Sequence, residues 1–175
     1  MIRPQRNACR DFTDLSGAWR VAFAQAEEQV QWQDGIPAER AHVIAVPGSW
    51  NEQLAEAGYM NFCGVGWFET EVYLPAVAAG RELALRFGSV DYYGEVWLDG
   101  ERLGQSSAPM LPFELRVPAH LASGRRARLV VRVDAQLHAD ESTQGITRAT
   151  YAAEGRPRDE YLPAVRFDFF PYGGI

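Results

Sequence analysis

Along six stretches of this chain every second residue is apolar, and a period of two places alternate side chains on one face of an extended strand. Trp19, Val21 and Phe23 form the first such face. Phe68, Thr70, Val72 and Leu74 form another, with Glu69 and Glu71 on the opposite, solvent-directed side. Leu83, Leu85 and Phe87 follow, then Val96 and Leu98 with Trp97 facing the other way. Phe113, Leu115 and Val117 make the next, and Leu129, Val131 and Val133 the last. No stretch of similar length repeats apolar residues at helical spacing, so the pattern predicts an all-β protein.

The residues between these runs are those that turns require. Asp99-Gly100 lies between Val96-Trp97-Leu98 and Leu103, a two-residue hairpin signal, because glycine accepts the positive φ of a type I′ turn. Pro75, Pro112 and Pro118 fall at strand ends, where a missing N–H removes no ladder bond, and Gly80, Gly88 and Gly124 mark further turns. Ser49 with Glu52 three residues on reads as a capping box opening one short helix through Leu54. Many short strands at regular spacing point to an antiparallel β-sandwich or jelly roll, not a parallel α/β sheet.

From Ala135 to Pro163 the rhythm stops: the segment is polar, charged and without period, a long irregular loop of the kind that serves function or meets a partner. An aromatic run follows, Arg166-Phe167-Asp168-Phe169-Phe170-Pro171-Tyr172, and the chain stops at Gly173-Gly174-Ile175 in the middle of strand-like sequence. That ending predicts one domain, residues 1–175, forming the N-terminal piece of a longer polypeptide.

Composition narrows the functional classes. Of 175 residues, 47% are hydrophobic and 23% charged, ordinary for a soluble globular domain. Aromatic residues reach 12%, which suits a sandwich core and a sugar-handling surface equally. A net charge of −6 argues against nucleic acid, whose binding needs clustered cations. The densest basic run, Arg125, Arg126 and Arg128, reads as a solvated strand edge. Residues 1–6 lack the apolar core of a secretory signal, and nothing approaches the roughly 20 apolar residues that span a bilayer. Two cysteines, Cys9 and Cys63, are too few for a disulfide framework or a metal site, so reduced thiols and a cytoplasmic location are expected.

Most catalytic arrangements are missing. No Gly-x-Ser-x-Gly elbow occurs, and His42, His120 and His138 stand in unrelated loop or surface contexts. No His or Cys pair has metal-ligand spacing, and no glycine-rich phosphate loop follows a strand, so neither metal nor cofactor is expected. Asp159 and Glu160 read as solvated loop charges. Asp168 differs, standing among Phe167, Phe169, Phe170 and Tyr172. Aromatic rings take the apolar C–H face of a sugar while a carboxylate accepts its hydroxyls. Pairing with Arg166, or capping of a turn, explains the same residue equally well.

A family resemblance joins these pieces. Ala45-Val46-Pro47-Gly48-Ser49-Trp50-Asn51, Asn61-Phe62 with Trp67-Phe68, the run from Val90 to Gly100, Pro112-Phe113 and the segment from Asp168 to Ile175 occur in the order found in the opening domain of glycoside hydrolase family 2. Their detail is most similar to the β-glucuronidases, from Ile2-Arg3-Pro4 to the last residue. The resemblance implies a jelly-roll sandwich of the galactose-binding-domain type, followed in the family by an immunoglobulin-like domain and a TIM barrel. It places both catalytic glutamates of the retaining mechanism in the barrel, so this chain carries no catalytic residue of its own. It also implies that Asp168, supported by Phe169 and Tyr172, contacts a glucuronide or related β-glycoside. Thr70, the loop from Ser106 to Pro109, Phe167 and Pro171 depart from common family residues and bear on the substrate, not the fold. A free-standing carbohydrate-binding module and a purely structural assembly domain, self-associating into a homo-oligomer through its aromatic end, are the alternative expectations.

Overall fold

The computed structural model describes residues 5–24, 28–62, 64–76, 81–108, 110–135 and 173–175. Eight strands form among the described residues, six of them from the alternating runs: β1 (Gly17–Ala24), β2 (His42–Val46), β3 (Val65–Leu74), β4 (Leu83–Phe87), β5 (Tyr93–Leu98), β6 (Glu101–Ser106), β7 (Phe113–Val117) and β8 (Arg125–Asp134). Among the described residues they form a six-stranded sheet in the order β2-β1-β3-β8-β5-β6 and a two-stranded sheet of β4 and β7. All pairings are antiparallel. Strand β2 adds to the predicted set; its Ile44 and Val46 point inward while Val43 and Ala45 are exposed.

The two sheets enclose one core, as an all-β sandwich requires. Val21, Phe68, Val72, Val96, Leu98, Leu129, Val131 and Val133 line the large sheet's inner face, and Leu85, Phe87 and Val117 face them from the small one. Each such side chain, fully buried, contributes about 1.5–3 kcal/mol. Leu98 pairs with Glu101 across the turn, and Asp99 and Gly100 have φ of 48° and 80°, the two positive values that a two-residue hairpin needs. Ser49 opens the helix α1 (Trp50–Gln53) by accepting the Asn51 N–H at its hydroxyl, and Leu54 caps the other end.

The outer face of β3 departs from the alternation rule. Glu69 is 8% exposed, where a solvent-side residue was expected. The connection from β1 to β2 folds across this face and buries Ile36 with Ala22, Ala24, Trp67 and Val130, packing Val30 and Trp32 against them. A covered Glu69 is stabilised by Arg20 at 2.7 Å, the Ile36 N–H at 2.8 Å and Arg128 at 3.9 Å. Burial of a carboxylate is tolerable only with such partners. Glu71, further along β3, remains exposed and pairs with Arg126.

The basic run is also placed differently. Arg125, Arg126 and Arg128 lie on β8, which sits between β3 and β5 and is not an edge. Central strands bring acids from both neighbours, here Glu69 and Glu71 from β3 and Asp99 at the end of β5. The cations therefore face matched carboxylates.

Candidate functional site

Asp168, Phe169 and Tyr172 lie outside the described residues, as do His138, Asp159, Glu160, Arg166 and all of the expected irregular loop except Ala135. The description resumes at Gly173, where the last three residues are held by a cradle of backbone and side-chain bonds.

Two loops build that cradle. From the β2–α1 connection, the Gly48 N–H donates to the Ile175 carbonyl at 2.9 Å and the Trp50 N–H to the Gly173 carbonyl at 3.1 Å. From the β4–β5 connection, the Asp91 N–H donates to the Gly174 carbonyl at 3.2 Å. Gly174 thus bridges Ser49 on one side and Asp91 on the other, like a one-residue strand between two edges.

Both glycines are demanded by close approach. A Cβ on Gly173 would enter the indole ring of Trp50, and one on Gly174 would strike the Gly48 carbonyl. Trp50 cannot move aside. Its ring meets Phe23 edge-on at 5.5 Å and lies 6.2 Å from Phe62, and its Nε1–H donates to the Phe62 carbonyl at 3.1 Å.

Asn51 is the polar centre of the cradle and is only 2% exposed. Its Oδ1 accepts the Gly173 N–H at 3.0 Å. Its Nδ2 donates to the carbonyls of Tyr59, Met60 and Phe62 at 3.2, 3.1 and 2.9 Å. One amide therefore ties the chain end to the turn after α1, and no smaller or charged side chain offers both functions.

Asp91 borders the same segment. Its Oδ1 accepts the Met110 N–H at 2.9 Å and the Ser89 hydroxyl at 3.3 Å. Partial burial pushes its carboxyl above the ordinary range, and those two bonds offset only part of the rise. Asp99 behaves oppositely: burial raises it, but bonds from the Arg128 N–H and Arg125, with both guanidinium charges, bring it below the ordinary range.

The other candidates are not gathered here. His42 begins β2 half-buried against the rings of Phe23 and Tyr59, and His120 pairs with Glu101 at 2.7 Å on the surface. Cys9 is exposed and free. Glu69, Glu71, Asp99 and Arg125 to Arg128 line an open, charge-balanced groove on the outer sheet face. Among the described residues no group of His, Cys, Asp and Glu is arranged to hold a metal, and no helix is long and apolar enough to cross a membrane.

Asn51 and Asp91 as builders of the site escape the alternation pattern. The one sequence signal for Asn51 is its place directly after a helix-opening Ser-Trp pair, and for Asp91 its place in the turn before β5.

The comparisons agree with this architecture. Residues 12–175 match the family described as "Glycosyl hydrolases family 2, sugar binding domain". The chain is 27% identical over 187 residues to the β-glucuronidase of Canis lupus familiaris and 23% identical over 175 residues to that of Streptococcus agalactiae. All of this chain is covered in each case, but only 29% and 28% of those relatives. Among solved structures, Ruminococcus gnavus β-glucuronidase superposes with a TM-score of 0.79 at 29% identity, covering 99% of this chain and 28% of that one. Faecalibacterium prausnitzii β-glucuronidase gives 0.73 at 31% identity, covering 99% and 31%. A sandwich whose last residues are gripped by Gly48, Trp50, Asn51 and Asp91, matched over nearly its full length, belongs to the sugar-binding domain family of the family 2 glycosyl hydrolases.

Proposed function

We propose that this chain is the N-terminal domain of a β-glucuronidase-like retaining hydrolase and that Asp168 contacts the sugar of a glucuronide or related β-glycoside. The cradle around Gly173–Ile175 is the observation that carries this reading. Five residues lie between Asp168 and that anchor inclusive of one end, and a chain advances at most about 3.3–3.6 Å per residue, so the Asp168 backbone stays within roughly 18 Å of it. A rigid attachment so near limits where the acid is delivered, and positioning of this kind supports catalysis. The carboxylate accepts hydroxyl hydrogens in charge-assisted bonds, while Phe169 and Tyr172 offer rings to the sugar's C–H face.

The catalytic acid and nucleophile come, in this reading, from a TIM barrel further along the same polypeptide, beyond an immunoglobulin-like domain. Retaining chemistry needs those two carboxyl groups about 5–5.5 Å apart. This domain supplies binding and orientation, requires no cofactor, and works in the cytoplasm, where the exposed thiol of Cys9 stays reduced.

The test is Asp168→Ala in the complete encoded polypeptide, assayed on 4-nitrophenyl β-glucuronide. A fall in kcat/KM of about 100-fold, an amount equivalent to about 2.7 kcal/mol, is expected with an unchanged urea midpoint. Undiminished turnover would reject the sugar contact.

A further inference from the structure

Asp91 acts in two directions at once. Its main-chain N–H holds Gly174, while its carboxylate holds the Met110 N–H and is steadied by Ser89 from its own loop. Met110 has a φ of 60°, a left-handed conformation that non-glycine residues adopt only at a cost, so something must hold the turn in place. The turn also displays its apolar side chains: Met110 is 54% and Leu111 58% exposed. Packing of those side chains contributes little, and the bond that closes the turn itself, from the Leu111 N–H to the Ala108 carbonyl, is long at 3.4 Å.

We propose that Asp91 is a positioning residue, a latch that joins the Met110 turn and the Gly173–Ile175 segment into one unit. Its functional meaning rests on the sugar site proposed above. A simple turn cap would steady Met110 alone; a latch transmits loss of the carboxylate to the chain end through the shared residue. The Asp91 side chain is half-buried between the two loops, so removing it loosens both its own backbone and the turn. The N–H that grips Gly174 belongs to that same backbone.

Amide hydrogen exchange on the 175-residue chain separates latch from cap. With Asp91→Ala, exchange at the Met110 N–H rises about tenfold, and at the Gly173 and Trp50 N–H groups about threefold or more. Asp91→Asn, which keeps an acceptor oxygen, restores both. Faster exchange at Met110 with no change at Gly173 overturns the latch. If Asp91→Ala abolishes protection throughout β3 and β8, Ser89→Ala gives the same pair of changes at smaller size, and an effect at Met110 alone is again fatal. In the complete polypeptide, Asp91→Ala lowers kcat/KM on 4-nitrophenyl β-glucuronide about five- to tenfold and Asp91→Asn recovers it, whereas an unchanged value overturns the positioning role. Indifference of turnover to Asp168→Ala defeats the sugar-site reading instead and leaves the exchange result standing.

Discussion

Replacing Asn51 by aspartate changes almost no volume and removes the one donor group at the centre of the cradle. In the native chain two N–H hydrogens serve three carbonyls, those of Tyr59, Met60 and Phe62, and Oδ1 receives the Gly173 N–H. A carboxylate keeps the last bond and loses the others, which contribute about 1 kcal/mol each net. It also sets an ionised group, at a site 2% exposed, against three carbonyl oxygens. Together these cost about 3–5 kcal/mol, a large share of the roughly 5–15 kcal/mol that holds a domain folded.

The cost depends on pH in a defined direction. Burial and the facing carbonyls raise the folded-state pKa of the introduced carboxyl above its unfolded value. The folded variant thus binds a proton that the unfolded one releases, and stability returns as pH falls through the raised value. Urea unfolding of Asn51→Asp, followed by tryptophan fluorescence at about pH 8 and about pH 5, reads both effects. Asn51→Ala is the control: it loses about 2–3 kcal/mol with no added pH dependence, because it introduces no charge. An Asn51→Asp protein within about 0.5 kcal/mol of wild type at about pH 8, or one with the same pH profile as the alanine variant, would refute the reasoning.

Three further outcomes are expected. Glu69→Ala strands Arg20 and the Ile36 N–H and destabilises by about 2–3 kcal/mol in urea unfolding, while Glu69→Gln, which still accepts from Ile36, loses less. Burial raises the Asp91 carboxyl, so its contribution favours folding at low pH and is lost as pH climbs through the raised value. Asp91→Asn, which cannot titrate, therefore gains stability relative to wild type as pH climbs above the ordinary carboxylate range, seen as a flatter profile in unfolding experiments at several pH values. Gly174→Ala drives a Cβ into the Gly48 carbonyl and frees the chain end, at a cost of about 1–3 kcal/mol measurable by unfolding, with altered emission from Trp50.

The strands that could be read from sequence share one property: their apolar residues alternate against a single core. Trp19 to Phe23, Phe68 to Leu74 and Leu129 to Val133 obey that rule because neighbours at i and i+2 decide it. The Asp99-Gly100 turn was equally legible, since two adjacent residues with positive φ demand that chemistry. Strand β2 was not, because its inward face is short, Ile44 and Val46 only, next to a half-buried His42.

Glu69 shows where alternation stops deciding burial. Alternation correctly put it on the face opposite Phe68, but that face is covered by residues more than thirty positions earlier in the chain, Ile36 and its neighbours, whose segment has no period to announce them. The arginines of β8 taught the same lesson, since a strand's rank in its sheet depends on which distant strands flank it.

The candidate site divides in the same way. Asp168 and its aromatic neighbours lie outside the described residues, but a Gly-Gly pair and a Ser-Trp-Asn helix start were visible in the sequence. That these belong together was not, because Gly173 meets Asn51 across 122 residues and Gly174 reaches both Gly48 and Asp91. Local side-chain chemistry, acting over a few residues, let the sequence alone determine most of the strands and the Asp99-Gly100 turn. Only tertiary structure, which brings remote backbone groups within hydrogen-bonding distance, decided which glycines must stay glycines, which acid is buried, and what grips the end of the chain.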